Sequence, residues 1–281
     1  MLTPGEEEFI ARHAYVPEHL PGYGRVVSGG EPFLNRDFLF YHARDFLVFI
    51  GYPLEGEFDR GKMEKTLEEI VSRIHPTRVA WIAPSISRQD GEREKPDCYY
   101  RLDLAGGELH PKVRNMLQRA SRELDVNKEC PFLEEHHSLI ADFLATRKVH
   151  EGTRAIFERI PRYASSVPSA VLFEARDRAR RLIGYDIADF GAKGYAFYMF
   201  NFRSRQHPVP GASDLLLFAL IQEARERGKS FINLGLGINA RVAFFKKKWG
   251  GVPFLNYESL LYRPAPPSLF ESILQGVFRT E

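Results

Sequence analysis

Twice along this sequence a short apolar run is followed by an amphipathic stretch at helical spacing and then by a second short apolar run. In the first unit, FLVFIGYP (46–53) reads as a buried strand. Residues 60–74 then place Met63, Leu67, Ile70, Val71 and Ile74 on one stripe, and RVAWIAP (78–84) reads as the returning strand. In the second unit, YAFYMFNF (195–202), a helix over 214–227 and FINLGLG (231–237) repeat the order with different residues. A strand, crossover helix and strand in that order make the two strands parallel and the connection right-handed. Alternating strands precede each unit: DFLFY and FLVFI flank HARD, while VLFEARD and RLIGYDIADFG flank the charged turn at 176–181. The pattern predicts an α/β fold with mixed α+β sheets, built as two related halves.

Length agrees with two halves, since 281 residues suffice for two cores. The sequence divides into residues 1–110, a linking basic helix over 111–125, and residues 126–281. In the linker Val113, Met116, Leu117, Ala120 and Leu124 form the apolar stripe, and Lys112, Arg114, Arg119 and Arg122 spread over the opposite side. A net charge of +2 neither demands nor excludes a nucleic-acid partner. Lys112, Arg119 and Arg122 are therefore the local candidates for contact with tRNA or another phosphate. No run approaches the roughly 18–20 apolar residues needed to span a bilayer. The acidic N-terminus, MLTPGEEEFIARH, is unlike a signal peptide, so the expectation is a cytoplasmic protein with no transmembrane segment. Cys98 and Cys130 have no CxxC spacing, and the His136-His137 pair has no ligand set around it, so no metal is expected.

The chemistry-bearing residues lie in the second unit. Pro208 and Gly211 loosen the loop that enters its helix, Ser213 is placed to cap that helix, and Asp214 falls in the first turn, where a carboxylate complements the helix dipole. A loop leading from a strand into a helix N-terminus presents free backbone N–H groups suited to a phosphate. Arg203, just past the strand, is a candidate for donor phosphate or carboxylate. Asn233 and Asn239 flank Gly235 and Gly237, where the backbone is open to a ligand; their ordinary roles are turn formation and capping. Lys246 lies between Phe245 and Trp249, whose burial of the ammonium would lower its pKa toward a useful range. The bland reading of Lys246, Lys247 and Lys248 is a solvated charge run.

This arrangement resembles the GNAT acyltransferase superfamily, and within it the Fem-type aminoacyltransferases and the C-terminal domain of phosphatidylglycerol lysyltransferases. The resemblance rests on Ser213-Asp214 opening a helix, the Asn233-Leu234-Gly235 strand, the aromatic-lysine pair Phe245-Lys246, and Lys248-Trp249-Gly250-Gly251. RSRQHPVPGA (203–212) lacks the GxG core by which CoA-using members hold pyrophosphate. Lys246 stands where many CoA-using members place a tyrosine acid. An acidic residue of the lysyltransferases is replaced near Phe200 and Asn201. The resemblance implies a tandem fold, and the first half, whose RVAWIAP is followed by the polar SISRQDGEREKPD without the Asn, aromatic and Lys set, reads as degenerate. It also implies an enzyme that moves an aminoacyl group from aminoacyl-tRNA, or an acyl group from CoA, to an amine or hydroxyl of a small-molecule, lipid or peptide acceptor. The donor would be a co-substrate and no cofactor would be tightly bound. Lys246 would be catalytic, with Arg203, Ser213, Asp214, Asn233, Asn239 and Lys248 binding the donor or substrate. The rival reading is a non-catalytic ligand-binding or regulatory protein on the same fold. A buried Lys246 facing a cleft favours the enzyme, and one splayed into solvent favours the module.

Overall fold

The structure is a computed structural model that describes residues 1–106 and 110–265. Residues 107–109, next to the expected junction of the halves, and the last residues of the second half, 266–281, lie outside the described residues.

The first unit forms where the periodicity places it. β1 (Glu31–Asn35), β2 (Phe38–Ala43) and β3 (Phe46–Ile50) make an antiparallel meander, α3 (Arg60–Ile74) crosses over, and β4 (Arg78–Ala83) returns parallel to β3. Two helices precede this meander, α1 (Pro4–His13) and α2 (Pro21–Ser28). α3 starts because the Asp59 side chain accepts from the backbone N–H of Lys62 at 3.0 Å, and it stops where His75 turns left-handed at φ 54°. Its stripe of Met63, Leu67 and Ile70 is buried against Phe49, Val79 and Trp81. Each such side chain contributes about 1.5–3 kcal/mol of burial, so Ile70→Ala alone would cost about 2–5 kcal/mol.

The second unit repeats the plan. β7 (Leu124–Lys128), β8 (Ala170–Asp177), β9 (Leu182–Asp189) and β10 (Tyr195–Arg203) are antiparallel in turn. α7 (Ala212–Glu226) then crosses over to β11 (Phe231–Leu236), parallel to β10. α5 (Glu134–Thr146) and α6 (Glu151–Ser166) cover one face of this sheet, where α2 also packs on α6. α4 (Pro111–Ala120) and α7 cover the other.

Between β4 and β11 the sheet is closed by an exchange. The next long strand after β4, β6 (Asp97–Asp103), pairs antiparallel with β11 of the second unit. The last strand, β12 (Val252–Tyr262), reaches back to pair antiparallel with β4 and, at the start of the pairing, with β6. A two-residue strand, β5 (Glu92–Arg93), also lies on β12. One continuous sheet results, in the order β1-β2-β3-β4-β12-β6-β11-β10-β9-β8-β7. The returning strands β4 and β11 are therefore each flanked on the far side by a strand supplied by the other unit.

Two local expectations need correction. The helix expected over 111–125 ends at Ala120, and Leu124 opens β7 instead. Leu124 still enters the same core as Val113 and Leu117, but as a strand residue paired with Asp177. An apolar position four residues beyond Ala120 satisfies helical spacing whichever way the chain delivers it. Ser213 is not the N-cap of α7. That role falls to Gly211 at φ 85°, and a side chain there would press on Met116 and Ala120 of α4, whose atoms lie 3.0–3.1 Å from where its Cβ would stand.

Candidate functional site

The crossover strands of the second unit part company. β10 and β11 are paired at Tyr195–Phe231, Ala196–Ile232 and Phe197–Asn233 and no further, although β10 runs on to Arg203 and β11 to Leu236. β10 is also bulged against β9 between Tyr198 and Phe200. β11 loses its regular register with β6 between Asn233 and Leu236, where Gly235 sits at φ 76°. Such parting leaves backbone donors and acceptors between the strands without ladder partners, available to a ligand. The first unit shows no such opening: β3 and β4 pair through Ile50–Ile82, and Gly51 N–H adds a further bond to the Ile82 carbonyl.

Lys246 comes to this opening from α8 (Ala240–Lys248), which follows β11. Its residue is only 3% exposed, and its Nζ donates to the carbonyl of Leu236. A Cβ at Gly235 would lie 3.6 Å from that Nζ and 3.6 Å from the Tyr198 carbonyl on β10, so the ammonium stands where the strands separate. Burial pushes its pKa down to about 7, opposed by the charge of Asp97 and by Cys98. The aromatic neighbour is Tyr100 of β6, whose ring centroid is 5.8 Å from Nζ. Phe245, expected to shield Lys246, lies instead 5.1 Å from the Nζ of Lys248. Adjacent positions on a helix face different ways, whereas a strand delivered from the other unit reaches Lys246 directly.

Around it the candidate residues divide. Asp214 is buried, accepts from Trp249 Nε1 at 2.9 Å and pairs with Lys248. These three lock the start of α7 to the end of α8. Asn233 is fully buried: its Nδ2 donates to the Tyr15 carbonyl at 2.8 Å, and its Oδ1 accepts from Gly235 N–H at 2.8 Å. It shapes the opening and fixes the N-terminal segment over it. Asn239 caps α8, accepting from the N–H groups of Arg241 and Val242 at 3.0 and 3.1 Å. Ser213 Oγ bonds the side chain of Asn201 at 3.1 Å. Arg203 is exposed at the end of β10. Lys112, Arg119 and Arg122 are exposed on α4 and the turn after it, and α4 abuts the Gly211 turn at the head of α7.

Three groups escaped the sequence. Asp186 on β9 is fully buried. Asn201 Nδ2 donates to one of its oxygens at 2.5 Å, while the other has no partner among the described residues. Burial holds its carboxyl well above the usual range, partly offset by Asn201 and Arg203. Asp97 on β6 accepts from Gly237 and Ile238 N–H at 3.1 and 2.6 Å and so fixes the turn between β11 and α8. Tyr198, beside this cluster, has its hydroxyl pKa raised by burial and by the Asp186 charge.

A mixed sheet whose parallel crossover strands part beside the N-terminus of the crossover helix is a GNAT-like fold, and the strand, helix, strand unit occurs here twice. No protein-family model matches the chain, and no curated protein does. Solved structures do. The L-PGS of Bacillus licheniformis is similar at 17% identity with a TM-score of 0.56, over 98% of this chain and 96% of that one. FemX is similar at 9% identity and 0.60, over 100% and 99%. The C-terminal domain of a protein designated a lysylphosphatidylglycerol synthetase from Agrobacterium fabrum is similar at 14% and 0.56, over 91% and 90%. At these identities the likeness is one of fold. No helix among the described residues is long and apolar enough to cross a membrane.

Proposed function

We propose that this protein transfers an aminoacyl group from aminoacyl-tRNA, or an acyl group from CoA, to an amine or hydroxyl acceptor. The observation that carries the reading is Lys246, whose ammonium is buried, reduced in pKa to about 7, and placed where β10 and β11 part. Transfer breaks the acyl C–O or C–S bond of the donor as the acceptor forms a new bond to the same carbon. The departing oxygen or sulfur needs a proton, and the tetrahedral oxyanion needs positive charge. A lysine that titrates near neutrality can supply the proton and take one back for the next turnover. A merely solvated charge run would leave Lys246 outside, so its burial argues against that reading.

The division into residues 1–110, 111–125 and 126–281 enters this proposal as two related halves, the second bearing the site. The closed pairing of β3 with β4 supports a silent first half. The missing GxG core at 203–212 favours aminoacyl-tRNA over CoA as donor. One of the similar structures carries a name that points to lysylphosphatidylglycerol synthesis, which keeps a lipid hydroxyl among the acceptors. Lys112, Arg119, Arg122 and Arg203 are assigned to the donor's phosphates, with no tightly bound cofactor. The test is incubation of the purified protein with radiolabelled aminoacyl-tRNA pools or acetyl-CoA and an amine or lipid acceptor mixture. Transfer by the wild type that is lost in Lys246→Met supports the reading, and equal transfer by both overturns it.

A further inference from the structure

The face of the sheet opposite α7 and α8 holds a second unusual group. Glu18 lies in the N-terminal segment between α1 and α2, and Tyr99 of β6 donates its hydroxyl to Glu18 Oε2 at 2.8 Å. The Tyr41 hydroxyl donates to the Glu18 carbonyl at 2.8 Å and to that of Leu20 at 3.1 Å. Tyr52, Tyr99 and Tyr257 stand edge to face at centroid distances of 5.9 and 5.6 Å. Tyr23 packs against Phe200 of β10 at 6.3 Å. Burial holds the Glu18 carboxyl above its ordinary range, yet the residue keeps some contact with solvent. Among the described residues no lysine, arginine or histidine pairs with it. A carboxyl among tyrosines with no cationic partner is neutralised by its proton, and a bound cation would stabilise its charged form.

Its position joins it to the transfer site. Tyr99 is the register partner of Leu236, whose carbonyl holds Lys246 from the other face. Asn233 of β11 holds the Tyr15 carbonyl, three residues before Glu18. Glu18 thus lies over the parting of β10 and β11, between Tyr23 on the β10 side and Tyr99 on the β11 side.

We propose that Glu18 and the tyrosines around it bind a primary ammonium group carried by one of the two substrates. One carboxylate with aromatic faces suits an organic monocation; calcium would need about 6–8 oxygen ligands. A quaternary ammonium has no N–H for the carboxylate, whereas a primary ammonium donates to Glu18 and to the tyrosine oxygen. The ammonium belongs either to an amine acceptor or to the α-amino group of an aminoacyl donor. The role in transfer rests on the function proposed above, but the binding does not.

Ligand-observed NMR titration of the full chain with n-butylammonium, L-alaninamide and the neutral isostere n-butanol tests it. The wild type should bind at least one ammonium probe with an affinity about 10-fold or more above that of n-butanol. Glu18→Gln should weaken that binding about 10- to 100-fold. Preference for n-butylammonium identifies the acceptor as the source, and preference for L-alaninamide identifies the donor. Lys246→Met should bind the probe like the wild type even where it transfers nothing, so a failed transfer reading leaves this result standing. Should Glu18→Gln not fold, the wild-type comparison with n-butanol still decides. Equal binding of charged and neutral probes, or unchanged binding in Glu18→Gln, overturns the proposal.

Discussion

Asp214, in the first turn of α7, accepts the indole N–H of Trp249, which follows α8, at 2.9 Å, and the Lys248 ammonium pairs with the same oxygen. The contact sets how α8, and hence Lys246, is aimed. Asp214→Ala should cost about 1–3 kcal/mol in urea unfolding, and Asp214→Asn less, because an amide oxygen can still accept from the indole. Turnover should fall with stability in the alanine variant if the aim of Lys246 depends on this contact. Unchanged unfolding in Asp214→Ala would remove the contact from the account.

Lys246→Met should reduce transfer by about 10²–10³ in kcat while preserving the fold. Its pH dependence has a definite sign. The folded pKa of about 7 lies below the unfolded value of roughly 10.4, so the unfolded chain binds more protons between those values. Stability of the wild type therefore rises with pH through that window, and the burial penalty is fully present below about pH 7. The stability advantage of Lys246→Met should be greatest near or below pH 7 and shrink toward pH 10. Transfer that needs the protonated amine should decline as pH rises past about 7, and parallel stability profiles for the two proteins would contradict the assignment.

The two crossover units were legible in the sequence because their signals are local. Met63, Leu67 and Ile70 recur at helical spacing and are buried together under α3. The order of Asp214, Asn233 and Lys246 along α7, β11 and α8 was also legible, though Asp214 and Asn233 make structural contacts. Asp186 was not. Its strand reads as alternating polar and apolar, the mark of a half-exposed strand, whereas β9 is buried on both faces and the aspartate is internal. Nor did any local signal bring Asp97 or Tyr100 beside Lys246, since they arrive on a strand more than a hundred residues earlier through the exchange of β6 and β12.

Asn233→Leu should destabilise more than its size change warrants. It leaves the Tyr15 carbonyl and the Gly235 N–H without partners, at about 1–3 kcal/mol for each group that stays buried. Hydrogen exchange should quicken around Tyr15 and Glu18 in this variant, and unaltered protection there would show that the N-terminal segment is held by other contacts.

If tRNA is the donor, neutralising Lys112, Arg119 and Arg122 together should weaken its binding and reduce the log-log salt slope by about 2–3. α4, which with the turn after it carries these cations, abuts the head of α7 at Gly211. Filter binding at several salt concentrations measures the slope, and identical slopes for both proteins would exclude this helix from the contact.

The exchange of β6 and β12 sets the order of synthesis against the order of closure. Until β12 (Val252–Tyr262) has been made, β4 has its α3 and its β3 but no neighbour on the other side. Its open edge presents unpaired backbone N–H and C=O groups along a strand rich in apolar residues, of the kind that pairs with any strand available. The nascent chain must keep that edge unsatisfied until β12 has been made, so a product cut short before Val252 is inclined to aggregate.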